Sequence, residues 1–532
     1  MLIGKTAQLT DVSNKKTTIN TATTYQTMEG FGASAAWWAQ DIGRWSDEQI
    51  DRVTELLYGE TGAGLNIYRY NLGGGSENDT HIGDWRRRAE DFLSEDSDIN
   101  DASTYDWSAD AAAQKVLASA QRKNKDLKLV LFSNSAPSAI TDNGKAYCSN
   151  GVSSNLSESN YQSFANYVVN CAEHFVEQGY NVTAVSPVNE PEWDWAADTN
   201  GNMGQEGCRW EATPLAKFYN SYMVPTLQRS SLNGKVDLSV WECAQLNHST
   251  HWKNYLPAMF SSSTGLGSIG GIGNIGNNYG NNNASIRSYV DTLDTHSYWA
   301  SESDRNSVAS DISGKNYSAI KKVRCTEYCQ MTNDGNNNVM GHIQAEGGST
   351  NGMTIDYALA LADIMYQDIT ILNAVEWTWW TACSGGIYPD GLVYVNYDNP
   401  DNIQTAKRLW AMGNYARFIK DGAVRVQVTT GSGFGKNLTT EKTYSWDDHG
   451  TTRTDKHSYI EQTAYQNPDG SIVVVYINNS DTEEFTTFGD AYTELESYVT
   501  DENRDLERYQ TGTAKNRIVH IPSKSITTVI LK

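Results

Sequence analysis

The sequence contains few cysteines, and their arrangement does not predict a disulfide framework. Seven cysteines are spread over 532 residues, and an odd number cannot all pair within one chain. Cys325 and Cys329 lie four positions apart and Cys148 lies in a predicted loop, but no CxxC pair typical of zinc ligands occurs. We therefore interpret most of the cysteines as buried, small apolar side chains.

Basic residues are also scarce. The chain has 41 Lys and Arg against 64 Asp and Glu, which gives a formal net charge of -23. Nucleic-acid binding depends on the neutralisation of phosphates by Lys and Arg, so this balance disfavours nucleic acid as a partner. Anionic membrane surfaces are disfavoured for the same reason. We expect a monomer that binds neither of them.

Long apolar runs are missing as well. No run approaches the roughly 18 residues of a transmembrane helix, and the first thirty residues lack the apolar core of a signal peptide. We expect a secreted or cell-surface protein in the native context if an export signal precedes this sequence. If the chain is complete, we expect a cytoplasmic protein.

Two sequence patterns resemble a cofactor site and a metal site, but the neighbouring elements or ligands that such sites require are missing. The residues 271–276 match GxGxxG, but no predicted strand precedes them and no helix follows. His248 and His251 form an HxxH pair without a third ligand. We predict that the protein needs no cofactor and holds no metal.

Aromatic residues, by contrast, are abundant. The chain has 16 Trp and 30 Tyr, and most of them are expected to fill a large core. Tryptophans at strand ends have a second use, because the C–H face of a sugar ring stacks on a flat apolar surface.

Apolar segments recur along residues 27–378 with helical patterns between them, as repeated strand–helix units would produce. Eight such units predict an α/β fold of the (β/α)₈ TIM-barrel type, with a doubly wound open sheet as the structural alternative. One intervening helix is predicted by the capping-box sequence Ser46-Asp47-Glu48-Gln49. The predicted strands are Met28–Ala33, Gly64–Asn71, Leu127–Ser133, Val182–Val188, Val236–Glu242, Leu293–Tyr298, Val323–Glu327 and Ile371–Trp377.

The composition changes near residue 424, where short β-type runs replace the strand–helix pattern. We predict N-terminal strands in residues 1–25, a catalytic barrel in 26–420 and an appended antiparallel β-sandwich in 421–532, which the N-terminal strands join. The predicted sandwich strands are Val424–Val428, Ile472–Ile477, Ile518–Ile521 and Ile526–Leu531, with a turn at Asn467-Pro468-Asp469-Gly470. Two stretches, 261–285 and 333–352, are predicted to be long loops.

Two glutamates end predicted strands of the barrel. Glu190 follows the fourth predicted strand in Asn189-Glu190-Pro191, and Glu327 ends the seventh, 137 residues later. The carboxyl ends of barrel strands share one face, so both side chains are expected at the same mouth. Two carboxylates that flank a sugar bond are the minimum apparatus for glycoside hydrolysis. Glu242 ends the fifth strand, and we interpret it as a hydrogen-bond acceptor behind the site.

With these motifs in order, the chain resembles the clan A glycoside hydrolases, and specifically family 30. The resemblance covers nearly the whole chain. It rests on segments at strand ends and in the β region: Glu29-Gly30-Phe31-Gly32, Arg69, Asn189-Glu190-Pro191, His296-Ser297-Tyr298, Thr326-Glu327-Tyr328, Trp377-Thr378-Trp379-Trp380, Arg417-Phe418-Ile419 and Ser525-Ile526-Thr527-Thr528.

The resemblance implies a retaining double displacement and assigns roles at the site. Glu190 matches the general acid/base and Glu327 the nucleophile. Asn189 matches the residue that hydrogen-bonds the sugar 2-OH, Arg69 the cation beside the nucleophile, and Tyr298 the hydroxyl that keeps that carboxylate ionised.

Within the family, two segments resemble the endo-β-1,6-galactanase branch, Trp37-Trp38-Ala39 and Gln205-Glu206-Gly207-Cys208. Galactose has an axial 4-OH, which calls for a polar pocket, and Glu206, Gln205 or Asn134 are the candidates for it. Glucosylceramidases carry an aromatic residue at the position of Asn134. They carry an acidic residue where this chain has the glycines at 73–75. The other predicted substrate contacts are His296, Trp37, Trp38, Trp193, Trp195, Trp379 and Trp380.

The sequence therefore predicts a retaining endo-β-1,6-galactanase that acts on polysaccharide such as arabinogalactan side chains. Related family 30 activities are the alternatives, namely β-1,6-glucanase, xylanase or β-fucosidase. An inactive carbohydrate-binding protein is the alternative from a different class.

Overall fold

The computed structural model describes residues 12–246, 249–262, 283–330, 353–385, 390–435, 442–448, 451–457, 459–489, 492–513 and 518–532. The GxGxxG pattern at 271–276, His248 and the predicted loop at 333–352 lie outside these residues, and the loop at 261–285 lies mostly outside them. Among the described residues, no helix is long and apolar enough to cross a membrane.

A ring of parallel strands forms the first half of the molecule. Strand β2 pairs with both β3 and β10, and the pairing continues on each side until it reaches β6 and β7. Their bounds are β2 Gly30–Ser34, β3 Ile67–Asn71, β4 Lys128–Phe132, β5 Asn181–Ser186, β6 Asp237–Leu238, β7 Trp241–Gln245, β8 Thr292–Tyr298, β9 Lys322–Glu327 and β10 Ala374–Trp379.

The fifth barrel strand is broken into two pieces, and the ring closes at this break. β6 pairs with β5, whereas β7, two residues further along, pairs with β8. The backbone of the break completes both ladders, since Ser239 N–H donates to Val185 (2.9 Å) and Asp294 N–H donates to Val240 (3.0 Å). This closure confirms the predicted (β/α)₈ barrel and rules out the open doubly wound sheet.

Helices cover the outside of the ring. The predicted capping box is confirmed, because the Ser46 side chain accepts from Gln49 N–H and the Gln49 side chain accepts from Ser46 N–H. Apolar residues at helical spacing bury one face of each long helix against the strands. The helices are α1 Trp38–Ile42, α2 Asp47–Tyr58, α3 Ala111–Lys123, α4 Tyr161–Glu177, α5 Ala212–Phe218, α6 Val224–Arg229, α7 Ser249–Phe260, α8 Ala284–Tyr289, α9 Glu302–Ile312, α10 Ile355–Ile371 and α11 Lys407–Ala416.

Two smaller elements sit between the long helices and strands. A π-helical turn at Tyr219–Met223 joins α5 to α6. After the last barrel strand, three short strands form a separate sheet before α11: β11 Cys383–Ser384, β12 Val393–Asn396 and β13 Asn399–Thr405.

The last part of the chain is an antiparallel β-sandwich. Its large sheet has the order β1-β14-β17-β18-β23-β20-β21, so the N-terminal strand β1 lies at one edge beside β14. The strands are β1 Thr17–Thr27, β14 Val424–Thr430, β15 Lys442–Asp448, β16 Thr451–His457, β17 Ile460–Gln466, β18 Ile472–Asn478, β19 Glu484–Thr487, β20 Leu495–Asp501, β21 Arg504–Gly512, β22 Ile518–Ile521 and β23 Ser525–Leu531.

Both faces of the large sheet are covered, which explains why all seven residues of β18 are buried. One face packs on α10 and α11 and continues the barrel core, and the other packs against β19 and β22. Asn414 in α11 joins the two halves, because its side chain donates to Thr500 (2.6 Å) and accepts from Thr528 (2.9 Å). The second half therefore supports the barrel through a shared core.

Candidate active site

Three glutamates converge at the carboxyl ends of the barrel strands. Glu190 lies just beyond β5, Glu242 lies in β7 and Glu327 is the last residue of β9. All three are buried, with at most 7% of their surface exposed. One carboxylate oxygen of Glu190, one of Glu327 and one ring nitrogen of His296 all lie within 4.8 Å of one another. The two strand-end carboxylates predicted from the sequence therefore meet in one site.

Glu327 is held by a cation and a hydroxyl. Arg69 Nη1 donates to its Oε2 (2.6 Å), and Tyr298 Oη donates to its Oε1 (3.2 Å). The same guanidinium donates from Nη2 to Asn189 Oδ1 (3.0 Å) and stacks over the Phe132 ring at 3.7 Å. One planar cation thus fixes Glu327 and the amide that precedes Glu190.

His296 lies among the three carboxylates. Its Nδ1 is 2.8 Å from Glu190 and 3.7 Å from Glu327, and its Nε2 is 3.1 Å from Glu242. Burial acts to lower the pKa of His296, but the surrounding carboxylates outweigh burial and raise it to about 10. The imidazole is therefore positively charged at neutral pH, with each ring nitrogen donating to a carboxylate.

Glu242 is the buried anchor of this cluster. It accepts hydrogen bonds from Ser186 (2.7 Å), Ser239 (2.7 Å), Thr326 and His296, and it lies 3.9 Å from Arg69. Burial would raise the pKa of Glu242, but the His296 hydrogen bond and the charge of Arg69 bring it well below its usual range. The interpretation of Glu242 as an acceptor behind the site is confirmed.

Glu190 has the opposite electrostatic balance. Burial raises its pKa, and the charge of Glu327 adds to the rise, while His296 and Arg69 oppose both. A raised pKa suits a group that must give up a proton to a leaving oxygen. The backbone of Glu190 is in the left-handed region (φ 45°) and is anchored by a hydrogen bond from its N–H to the Glu242 carbonyl (3.0 Å). Such backbone strain is typical of functional positions.

Aromatic side chains lie on opposite flanks of this cluster. The Trp37 ring meets Trp380 edge-on at 4.9 Å, and Trp380 in turn packs on Phe132, which lies under Arg69. On the other flank, Trp193 is 37% exposed and packs edge-on against Trp299 at 5.7 Å. Trp195 Nε1 donates to the Glu190 carbonyl (2.7 Å). Trp37, Trp380, Trp193 and Trp195 are thus placed around the carboxylates.

Two of the predicted tryptophan contacts are wrong. Trp38 is 1% exposed and its Nε1 donates to the Ser34 carbonyl (2.9 Å), while Trp379 is fully buried and donates to the Asp390 carbonyl (2.6 Å). Both indole N–H groups are satisfied by buried backbone, so these rings belong to the protein core. Adjacent side chains in a strand point to opposite sides, so two neighbouring tryptophans need not share one environment.

Glu206 and Asn134 lie beside the glycine-rich loop that follows β3. The Glu206 carboxyl accepts from Gly74 N–H (3.0 Å) and from Ser76 Oγ (2.6 Å), and burial raises its pKa to about 8. Asn134 donates to Asn71 Oδ1 (3.3 Å), and within the described part of the chain its Oδ1 has no hydrogen-bond partner. Direct contact of either residue with a sugar remains a prediction.

Several residues of the site were not predicted from the sequence. Ser186, Ser239 and Thr326 supply the hydroxyls around Glu242, and buried Glu192 accepts from Ala244 N–H (2.7 Å). A hydroxyl at the end of an apolar strand gives a weak signal, because serine and threonine are common at such positions for structural reasons.

The trio of Glu190, His296 and Glu327 is close enough to suggest a metal site, but its chemistry fits one poorly. A metal ligand histidine offers a lone pair, whereas both nitrogens of His296 face carboxylates as donors. The arrangement is instead that of a charged hydrogen-bond network around two carboxylates.

Comparison with known protein families agrees with this geometry. Residues 14–394 match the profile of O-glycosyl hydrolase family 30, and residues 450–529 match the family 30 β-sandwich domain. The chain belongs to glycoside hydrolase family 30. The resemblance inferred from the strand-end motifs is thereby confirmed.

Individual relatives are distant. An endo-β-1,6-galactanase of Hypocrea rufa is 25% identical over 425 residues, covering 76% of this chain and 74% of that protein. An exo-β-1,6-galactobiohydrolase of Bifidobacterium longum is 28% identical over 247 residues, covering 36% of this chain and 16% of that protein. The solved structure of a conserved exported protein from Bacteroides fragilis shares the fold, with a TM-score of 0.75, 22% identity and coverage of 97% and 100%.

Proposed function

We propose that this family 30 glycosidase is a retaining enzyme that cuts β-1,6-linked galactan within the chain. The observation that carries the mechanism is the approach of Glu190 and Glu327 oxygens to within 4.8 Å. Retaining glycosidases hold their two carboxyl groups about 5–5.5 Å apart, whereas inverting enzymes leave room for a water at about 6.5–9.5 Å.

In the first step, Glu327 attacks the anomeric carbon while Glu190 gives its proton to the departing oxygen. Arg69 and Tyr298 hold Glu327 in place for attack, and Asn189, fixed by the same guanidinium, faces the sugar 2-OH. The products are a glycosyl ester on Glu327 and a free sugar hydroxyl on the released chain.

In the second step, Glu190 removes a proton from water, which attacks the anomeric carbon and releases Glu327. Glu190 must therefore be protonated in one step and ionised in the next. Burial favours the neutral form of Glu190, whereas the charge of His296 favours its ionised form. Both protonation states are therefore accessible.

The galactan assignment is supported by two observations. The relative that spans most of this chain is named for endo-β-1,6-galactanase activity, and Glu206 and Asn134 place polar atoms in the region where the glucosylceramidase pattern has an aromatic and an acidic residue. Endo action is supported by tryptophans on both flanks of the carboxylate pair, which would contact more than one sugar.

The stereochemistry can be tested by ¹H NMR of the first product anomer formed from β-1,6-galactan. Retention yields the β anomer before mutarotation, and initial α anomer would overturn the mechanism. A Glu327→Ala variant is expected to keep less than about one per cent of the wild-type rate, because a nucleophile normally supplies several kcal/mol.

The substrate needs a separate test, which measures reducing-sugar release from β-1,6-galactan, β-1,6-glucan and xylan. Galacto-oligosaccharides of several lengths are expected from the first substrate only. Release of monosaccharide or disaccharide alone would favour exo action. Preference for glucan or xylan would favour a related family activity, and no release from any substrate would favour a binding protein.

A further inference from the structure

Two cysteines meet where the loop after β4 contacts the loop after β5. Both thiols lie against one acceptor, Asn155 Oδ1, with Cys148 Sγ at 3.8 Å and Cys208 Sγ at 3.0 Å. The backbone N–H of Arg209, the residue after Cys208, donates to the Cys148 sulfur (3.2 Å). The pair comes from positions 60 residues apart and is brought together only by the fold.

The backbone around the pair already joins the two loops. Cys148 N–H donates to the Trp195 carbonyl (2.8 Å), and Gly207 N–H donates to the Ala146 carbonyl (2.9 Å). Asn155 is fixed in turn, because its Nδ2 donates to the Lys145 (2.8 Å) and Tyr147 (3.0 Å) carbonyls. These hydrogen bonds hold the two segments together, and with them the two sulfurs.

These loops carry active-site residues. Trp195 packs its ring against Gly207, where a Cβ atom would lie 2.3 Å from the ring, and its Nε1 donates to the Glu190 carbonyl. Glu206 lies two residues before Cys208 and contacts the loop after β3. A covalent link at the cysteines would fix the position of the proposed acid/base loop.

We propose that Cys148 and Cys208 form a disulfide that fastens the loop after β4 to the loop carrying Glu190. The sequence alone did not predict this link, since the seven cysteines show no disulfide framework.

The chemistry requires an oxidant, and a low-molecular-weight disulfide suffices. Cys148 thiolate attacks one sulfur of that disulfide and releases a thiolate. Cys208 loses its proton and attacks the Cys148 sulfur, releasing the second thiolate. Two protein thiols are oxidised, one external disulfide is reduced to two thiols, and the protons pass to the released thiolates.

The electrostatics of the pair agree with these roles. The hydrogen bond from Cys208 lowers the pKa of Cys148, burial opposes this, and the Arg209 N–H adds to the lowering, so that the pKa is about 7. Burial raises the pKa of the Cys208 thiol well above its usual value. Cys148 is accordingly the more readily ionised thiol of the pair. Because it is fully buried, it meets the external disulfide only when the two loops open locally, and Cys208 then closes the bond.

The test is a peptide map without reductant, after the native protein is held with oxidised glutathione at pH 8 a few degrees below its Tm. Trypsin alone leaves Cys148, Cys171 and Cys208 in one peptide, 146–209, so a glutamate-specific protease must follow. The double digest separates them into peptides 146–158, 159–173 and 207–209. We expect 146–158 linked to 207–209, lighter than the sum of the two by two hydrogens, with Cys171 alkylated as a thiol.

Separate, alkylated peptides for Cys148 and Cys208 would overturn the proposal, and so would a glutathione adduct on Cys148 with Cys208 still free. A second measurement compares the Tm with and without reductant. Reduction should lower the Tm of the oxidised wild type by several degrees, because the link closes a long loop of the unfolded chain. The Tm of Cys148→Ser and Cys208→Ser should not respond to reductant, and an equal response in these variants would contradict the link. Neither readout depends on the proposed glycosidase activity.

Discussion

The Nδ1 atom of His296 lies 2.8 Å from the Oε1 atom of Glu190. This contact joins a charged imidazole to the proposed acid/base. The charge of Glu327 and the hydrogen bonds to Glu190 and Glu242 keep the imidazole charged against the effect of burial. The contact therefore controls the protonation of Glu190 as well as its position.

Replacement of His296 should change the pH dependence of catalysis. His296→Gln removes a positive charge beside Glu190, so the pKa of Glu190 should rise further above its ordinary value. The alkaline limb of kcat/KM, which reports the acid in the free enzyme, should move to higher pH by about one unit or more. The profile is measured on an aryl β-galactoside, together with the control His520→Gln in the β-sandwich. An unmoved alkaline limb in His296→Gln would show that the imidazole does not tune Glu190.

Glu206 should make the folded state more stable at pH 5 than at pH 8. Its pKa is raised to about 8, so it is protonated when folded and ionised when unfolded between about pH 4.5 and pH 8. The folded state then binds more protons than the unfolded state, and the free energy of unfolding falls as pH rises through this window. The Tm should therefore be higher at pH 5 than at pH 8.

A neutral replacement should weaken this dependence. Gln at position 206 keeps an oxygen for Gly74 N–H and Ser76 Oγ but cannot ionise. The difference in Tm between pH 5 and pH 8 should shrink in Glu206→Gln and stay as in the wild type in Glu95→Gln, a change at an exposed site. An undiminished difference in Glu206→Gln would mean that other groups bind the extra protons.

The barrel and the meeting of Glu190 and Glu327 at its mouth could be predicted from the sequence, because parallel strands buried on both faces have continuous apolar runs. Glu190 and Glu327 stood out as charged residues at the ends of such runs. The hairpin β15–β16 was not predicted because its residues are mostly polar or charged, and Tyr444 and Trp446 are too few to give a clear alternating pattern. Trp38 and Trp379 were misjudged because a sequence does not tell which of two adjacent rings finds a buried carbonyl.

The hydrogen-bond network around Glu242 could not be predicted from the sequence, because the partners of Glu242 come from different strands. Ser186, Thr326 and His296 lie on β5, β9 and β8, and no spacing in the sequence relates them. What the sequence could offer was one more glutamate near a strand end.

Neutralising Glu242 should damage both stability and turnover. Glu242→Gln removes one of the two buried negative charges that face both Arg69 and His296, and leaves Glu327 as the other. Removal of one partner of a buried ion pair costs about 3–5 kcal/mol, so the Tm should fall clearly. We also expect kcat to fall with little change in KM, since Glu242 lies behind the groups that face the substrate.

The matched control is Glu192→Gln, at a buried glutamate close to the same site. Burial raises the pKa of Glu192 to about 7, so an amide resembles the form that predominates in mildly acidic solution. At pH 6 this variant should lose much less stability and activity than Glu242→Gln. Equal losses in the two variants would indicate a general effect of changing a buried acid.

Trp193 should matter for long substrates and not for short ones. Its ring is 37% exposed on the loop that follows Glu190, and it is braced by Trp299, which stands beside Tyr298. If the ring stacks on a sugar away from the scissile bond, Trp193→Ala should lower kcat/KM on β-1,6-galactan by about tenfold, which corresponds to about 1.4 kcal/mol of binding. Hydrolysis of an aryl β-galactoside should be unaffected, because that substrate does not reach the ring. Trp193→Phe keeps a flat apolar face and should recover most of the polymer activity, whereas equal losses on polymer and aryl glycoside would mean that the ring supports the Glu190 loop instead of binding sugar.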